Sequence, residues 1–259
     1  MLDRIVAQKQ LELVESKAGK PFEELLAKMP DSRPPSLRQA LEAEGINIIA
    51  EVKYSSPSHG PFAIQWPPQE VVKAYLDGGA AAVSVLTDQE FFNGKPEYLQ
   101  QLRTEFPELA LLRKDFLIDR YQVLEARVWG ASAYLLIVAC LEPGQLGSLM
   151  GYGAELGLEA LVEVHDLREL DTALESGARI IGVNNRNLKT FEVDLKTSFR
   201  AARRLEGESG VTLVSESGIR ESLQIQELQD AGFSAFLIGS SLMDSEDPAV
   251  KLRELRGEG

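Results

Sequence analysis

The sequence predicts an α/β fold, a (β/α)8 TIM barrel preceded by an N-terminal helical extension. Three observations lead there. From residue 46 onward, short apolar runs rich in β-branched residues alternate with amphipathic stretches. Several of those stretches end in Gly followed by a small residue, which suits a helix C-cap that leads into the next strand. The runs are continuously apolar, as expected of parallel strands covered on both faces.

Taken in order, residues 1–45 come first. "MLDRIVAQKQLELVESKAG" reads as an amphipathic helix, and the helical segments after it are broken by "GKP" and "PDSRPPS". So short a stretch rarely builds its own core, so 1–45 is expected to pack on the domain of residues 46–259. The predicted strands are "INIIAEVK", "AAVSVLT", "LALLRKD", "SAYLLIV", "LEALVEV", "ARIIGVNN", "VTLVSES" and "AFLIGSS". Helical periodicity lies between them, as in "PPQEVVKAYLDGG", "IDRYQVLEARVWGA", "DLRELDTALESGA" and "IRESLQIQELQDAGF". The units recur every ~20–35 residues, the scale of a βα unit. An open doubly wound sheet is the competing architecture. A dinucleotide-binding one would carry G-x-G-x-x-G after its first strand, and none follows "IIAEVK".

Composition narrows the partners. A net charge of -13 without a basic stripe disfavours nucleic acid. The N-terminus lacks the apolar core and cleavage site of a signal peptide, and no run approaches the roughly 20 apolar residues that span a bilayer. A cytoplasmic protein without membrane partners is expected. Absence of a long exposed apolar stripe makes monomer the expectation. The single cysteine, Cys140, sits in "YLLIVACL" and reads as a small buried hydrophobe. Two histidines and one cysteine leave little for a His/Cys metal site, so no metal is expected.

A barrel of this kind keeps its chemistry at the C-terminal ends of its strands. Glu51 and Lys53 share one face at the end of the first strand; Lys114 shares the face of Leu112, Glu163 that of Leu161, and Asn184 that of Gly182. Charges in phase with a barrel interior are rarely placed there without pairing or purpose. After the seventh and eighth strands, "ESGI" and "GSSLM" combine Gly with Ser before a helix, which suits an anion held by backbone N–H groups. Lys53, on the neighbouring first strand, is placed to add a cation. The loop "SSPSHGPF" is of the sort that folds over a site, with His59 read as an exposed bystander. Asp166 reads as a helix N-cap, and no role is assigned to His165.

These residues resemble the indole-3-glycerol phosphate synthase family of tryptophan biosynthesis. The resemblance runs over essentially the whole chain and is carried by "AEVKYSSPSHG", "LTDQEFFNG", "LLRKDFLID", "ALVEVHD", "IGVNNRNLKTFEVD", "VSESGI" and "FLIGSSLM". The first motif departs from the commonest family form at Tyr54 and His59, where basic residues are frequent. The resemblance implies ring closure of an anilino-deoxyribulose phosphate with loss of carbon dioxide and water, without cofactor. It implies Lys114 as general acid, Glu163 and Glu51 as acid–base or charge-stabilising groups, and Lys53 in both phosphate binding and acid chemistry. It further implies that Asn184 and Arg186 orient the substrate, and that Ser217, Gly218, Gly239 and Ser240 hold its phosphate. Phe91, Phe116, Leu135 and Leu188 would form the slot for the aromatic ring, with Ser56 and Pro57 in the closing loop.

The residue types suit that chemistry. An electron-rich aryl carbon attacks a ketone, and a positioned ammonium protonates the oxygen as charge appears. A carboxylate steadies the positive charge that spreads over the ring. The rivals are a Schiff-base aldolase acting on a sugar phosphate, with Lys114 as nucleophile, and a non-catalytic sensor of a phosphorylated ligand. In either catalytic role an apolar slot is expected to lower the lysine's pKa by desolvation.

Overall fold

A computed structural model of the chain describes residues 1–57 and 59–258. Its parallel strands close into a barrel. They are β1 (Asn47–Val52), β2 (Ala82–Leu86), β3 (Leu111–Lys114), β4 (Ala133–Ile137), β5 (Glu159–Val164), β6 (Ile180–Asn184), β7 (Thr212–Glu216) and β8 (Ala235–Ile238). Each pairs with its neighbours in sequence, and β8 closes on β1 through Ile48↔Phe236 and Ile49↔Leu237. The expected closed barrel is therefore found and the open sheet is not.

Period-two alternation sends successive side chains to opposite faces, and here both faces are dry. Ile49, Leu112, Leu135, Leu161, Val214 and Leu237 fill the interior. Ile48, Val83, Leu111, Leu136, Val162, Ile181 and Phe236 face outward into the layer of helices. The four helices that the periodicity marked most clearly span Pro68–Asp77, Arg120–Val128, Leu167–Glu175 and Ser222–Asp230. Each is followed by a glycine at positive φ: Gly79, Gly130, Gly177 and Gly232. The residue after that glycine then donates back to a carbonyl five residues earlier, as Ala131 N–H does to Ala126 O at 2.9 Å. Only glycine takes this backbone without strain, which is why the sequence punctuates its helices there.

The N-terminal extension contributes α1 (Leu2–Gly19), α2 (Phe22–Leu26) and α3 (Leu37–Leu41). Leu37 and Leu41 of α3 are fully buried and join the interior cluster with Ile49, Ala82, Ala110 and Ala235, stopping the N-terminal mouth of the barrel. Glu159, at the start of β5, anchors that plug: its carboxylate accepts from Ser36 Oγ at 2.9 Å and from Arg38 N–H at 3.0 Å. An acid at a helix N-terminus is favourably placed against the helix dipole. At the other end of the extension, Tyr121 Oη donates to the carbonyls of Ser16 and Lys20.

One local expectation changes, and one departure from the family form finds its place. Cys140 is half-buried where a buried hydrophobe was expected: β4 stops at Ile137, and Cys140 ends a 3-10 turn (Val138–Cys140) that lies against the interior cluster. Tyr54 is buried, and its hydroxyl donates to Trp66 O at 2.8 Å, so its departure from the family pattern serves the loop's packing.

The plug can be tested. Leu41→Ala removes a fully buried side chain and should destabilise by about 2–5 kcal/mol, read by urea denaturation. The KM of the folded variant should stay at the wild-type value, because the plug lies at the end of the barrel away from the charged groups.

Candidate active site

The inward phase that places Leu112, Leu161 and Val214 in the core places the next inward residue of each strand above them. Those residues are Lys114, Glu163 and Glu216, and the three meet. Lys114 Nζ lies 2.9 Å from Glu163 Oε2 and 3.0 Å from Glu216 Oε2. The far oxygen of Glu163 accepts from Asn184 Nδ2 at 3.0 Å. Beside this group, Glu51 lies near the end of β1 in the same phase, and Lys53, just beyond the strand, sits 2.7 Å from Glu51 Oε1. Lys53 also stands over the Phe62 ring at 5.3 Å. Lys114, Glu163, Glu51, Lys53 and Asn184 are thus together at the C-terminal mouth.

Two glycines make room. A side chain at Gly182, the register partner of Glu163, would drive its Cβ into Glu216 Oε1. One at Gly239 would stand 2.6 Å from Glu51 Oε1.

The electrostatics reverse one expectation. Burial alone would lower the pKa of Lys114, as its apolar surroundings suggest, but the carboxylates of Glu163, Glu216 and Glu51 outweigh burial and hold it above the ordinary lysine value. Glu163 is also buried, yet Lys114, His165 and Asn184 together keep its carboxyl well below the usual range. Glu216 goes the other way. Burial, with Glu163 and Glu51 adding repulsion against the pull of Lys114, raises it to about 7. The mouth therefore holds a protonated amine between one firmly ionised carboxylate and one that carries a proton part of the time near neutrality.

Glu216 and His165 were not assigned by sequence reading. Glu216 was within reach of it: it ends β7 two residues after Val214, the same phase rule that marks Glu163, but "ESGI" reads as an anion-binding loop. His165 Nε2 lies 3.1 Å from Glu163 Oε1, off the line of a good hydrogen bond, and Nδ1 lies 3.1 Å from Glu169 Oε2. No local pattern signals this, because the side chain follows the last residue of β5 and turns back under it. Burial lowers its pKa, but the close negative charges of Glu163 and Glu169, with the hydrogen-bond contact to Glu169, outweigh this and raise it to about 10. Asp166 is the expected N-cap, accepting from the N–H groups of Arg168 and Glu169.

Around the cluster, Phe116 and Leu135 belong to the apolar interior, and the Phe92 ring lies 6.0 Å from that of Phe116. Phe91 instead has the Arg4 guanidinium over its ring at 5.7 Å. Leu188 is half-buried in the loop after β6. In that loop Arg186 N–H donates to Asn184 Oδ1 at 3.0 Å, and the guanidinium donates to Phe191 O at 3.2 Å. Ser56 lies in a short hairpin, Ser55–Ser56 against Gly60–Pro61, and Pro57 follows it. His59 is exposed, as expected, but stacks on Phe62 and sits 3.0 Å from Asp244 Oδ2. At the far side of the mouth, Ser217 and Gly218 both have positive φ, 66° and 90°. Gly239 and Ser240 open the short helix Ser240–Met243, and Ser241 Oγ reaches Ile219 O at 3.4 Å to join the two loops. Among the described residues nothing accepts from the N–H of Gly218 or Gly239.

A closed (β/α)8 barrel with a lysine held between carboxylates at its C-terminal mouth defines a barrel enzyme of acid–base chemistry. Residues 2–255 match the model of the family "Indole-3-glycerol phosphate synthase", and the chain belongs to that family. It is 46% identical over 251 residues to the indole-3-glycerol phosphate synthase of Chlorobaculum tepidum, covering 95% of this chain and 96% of that one. It is 43% identical over 264 residues to the Roseiflexus castenholzii protein of the same name, covering 99% and 98%. Among solved structures, thiamine phosphate pyrophosphorylase from Pyrococcus furiosus superposes with a TM-score of 0.60 at 18% identity, covering 86% of this chain and 96% of that one. The 3-hexulose-6-phosphate synthase of Salmonella typhimurium does so with 0.62 at 13% identity, covering 82% and 97%. These two likenesses speak for the fold alone.

His165 offers a stability test with a definite sign. A pKa raised from the ordinary 6.5 to about 10 stabilises the folded state fully below pH 6.5 and loses that contribution as pH rises towards 10. The melting temperature of wild type should therefore exceed that of His165→Gln at low pH, and the gap should close between those two values. A gap constant with pH would show that the histidine acts only by packing.

Proposed function

We propose that this chain converts 1-(2-carboxyphenylamino)-1-deoxyribulose 5-phosphate into indole-3-glycerol phosphate, with loss of carbon dioxide and water, as a carboxy-lyase of tryptophan biosynthesis. Membership of the family and the names of its relatives support the reaction. The observation that carries the assignment of roles is the Lys114 ammonium held between Glu163 and Glu216 at the barrel mouth.

In this reading the aryl carbon that bears the carboxylate attacks the ketone carbon. The carbonyl electron pair moves to oxygen, which takes a proton from Lys114. Positive charge shared by the ring and its nitrogen is steadied by Glu163, which stays ionised. Loss of carbon dioxide returns the C–C bonding pair to the ring. Dehydration follows: a carboxylate removes a proton, the hydroxyl leaves as water with a proton from an acid, and the indole double bond forms. Glu216, 3.0 Å from Lys114 and near neutrality in its titration, is suited to return a proton to the amine. Glu51 and Lys53 add a second acid–base pair beside it.

The same reading gives the remaining residues their places. Phe91, Phe116, Leu135 and Leu188 form the slot for the aromatic ring, while Asn184 and Arg186 orient the substrate. Lys53, Ser217, Gly218, Gly239 and Ser240 hold the phosphate, with the N–H groups of Gly218 and Gly239 free to donate. The hairpin carrying Ser56 and Pro57 closes over the site. The chain acts as a monomer in the cytoplasm on a free small molecule, and the N-terminal extension serves the same domain as the barrel. An aldolase role is less well supported. A nucleophilic lysine must lose its proton before it attacks a ketone, and three carboxylates oppose that loss at Lys114.

Turnover of the anilino substrate, followed by indole absorbance and fluorescence, tests the reading directly. Glu163→Gln should lower kcat by roughly 10²–10⁴-fold with a much smaller change in substrate affinity. Near-normal turnover would remove Glu163 from the mechanism. Borohydride added during turnover should leave no substrate mass on Lys114 by intact mass spectrometry. A reduced adduct there would favour the aldolase.

A further inference from the structure

Lys9 lies in the middle of α1, and its side chain is only 3% exposed. A lysine on a surface helix normally keeps its ammonium in water, and burying it costs free energy unless partners repay the lost hydration. The partners come from the catalytic face of the barrel. The ammonium lies 2.7 Å from Asp88 Oδ2, 3.0 Å from Asp115 Oδ1 and 2.8 Å from Glu12 Oε2 of its own helix.

The two aspartates belong to different loops, and each organises aromatic residues. Asp88 follows β2, is fully buried, and its Oδ1 accepts from the N–H of Phe91 at 2.7 Å and of Phe92 at 3.1 Å. Asp115 directly follows Lys114. It accepts from Phe116 N–H at 2.8 Å, from Thr87 Oγ1 at 2.6 Å and from Arg113 Nη2 at 3.2 Å. One ammonium thus joins the turn that carries Phe91 and Phe92 to the residue between Lys114 and Phe116. Two buried carboxylates on adjacent loops repel each other, and a cation between them turns that repulsion into a clamp. The same helix also sets Arg4 over the Phe91 ring.

We propose that Lys9 is a positioning residue for the reaction: through Asp88 and Asp115 it holds the aromatic wall formed by Phe91, Phe92 and Phe116 that receives the aryl end of the substrate. The proposal rests on the functional reading above. It concerns one end of the ligand only. The phosphate loops after β7 and β8 share no residue with the clamp, so the two ends can be tested separately.

Two probes make that separation: 2-aminobenzoate, the aryl fragment of the substrate, and inorganic phosphate. Both are titrated calorimetrically into the full-length chain, alongside steady-state turnover. Lys9→Met removes the cation. Lys9→Met combined with Asp88→Asn also removes the unpaired charge, while the Asn oxygen still accepts from Phe91 and Phe92; this pair keeps the test open if the single variant does not fold. In the folded variants 2-aminobenzoate should bind more weakly and kcat/KM should fall about 10- to 100-fold, mainly through KM. Phosphate affinity should not change, and Lys9→Arg should recover part of the loss. A purely structural role would lower the melting temperature and leave both probes as in wild type. That result, or an equal loss for both probes, overturns the proposal while wild type still binds 2-aminobenzoate and forms indole product. Wild type that does neither overturns the functional reading, and the clamp with it.

Discussion

The mouth of the barrel is organised by one ammonium that three strands bring among carboxylates. Lys114 ends β3, Glu163 lies in β5 and Glu216 ends β7, and each stands one inward step above a core residue. Alone, each would be a costly buried charge. Together they pair, and close pairing offsets part of the cost of desolvation, although Glu216 Oε1 is buried without a hydrogen-bond partner among the described residues. The pairing requires the barrel to be closed, because β3 and β7 lie on opposite sides of the ring and meet only through its interior.

This arrangement decides protonation as much as position. Two glutamates contact the same amine, yet they are driven in opposite directions. Glu163 has the support of Asn184 and His165 and stays ionised, whereas Glu216 has Lys114 alone and faces repulsion from Glu163 and Glu51. Two chemically identical side chains thereby acquire different acid–base behaviour from their surroundings. The glycines at 182 and 239 are part of the device, since a Cβ at either would displace a carboxylate from the cluster.

The N-terminal extension holds the barrel at both ends. Leu37 and Leu41 close the bottom with apolar contact, and Lys9 reaches the loops at the top with charge. The chemistry suits each place. The bottom is a dry stack of side chains in which methyl groups fit best. The top gathers loop backbone and carboxylates, whose N–H and oxygen atoms need polar partners.

The sequence by itself determined the repeating βα units, the glycines that end the helices, the Asp166 cap, and the inward phase of Glu51, Lys114, Glu163 and Asn184. All of these are consequences of local periodicity and backbone stereochemistry, which a linear string carries. It also carried the phase of Glu216, but there "ESGI" reads as an anion-binding loop, which hid the inward carboxylate. Only the tertiary structure decided who meets whom. Lys114 and Glu216 are 102 residues apart, and the carboxylates of Glu163, Glu216 and Glu51 that gather around the amine reverse the pKa shift that apolar neighbours had suggested. The burial of Lys9, the seat of His165 against Glu163 and the half-buried position of Cys140 belong to the same class. Each depends on barrel closure and on the docking of the first helix, and Coulomb energy depends on distance in space, which spacing along the chain does not give.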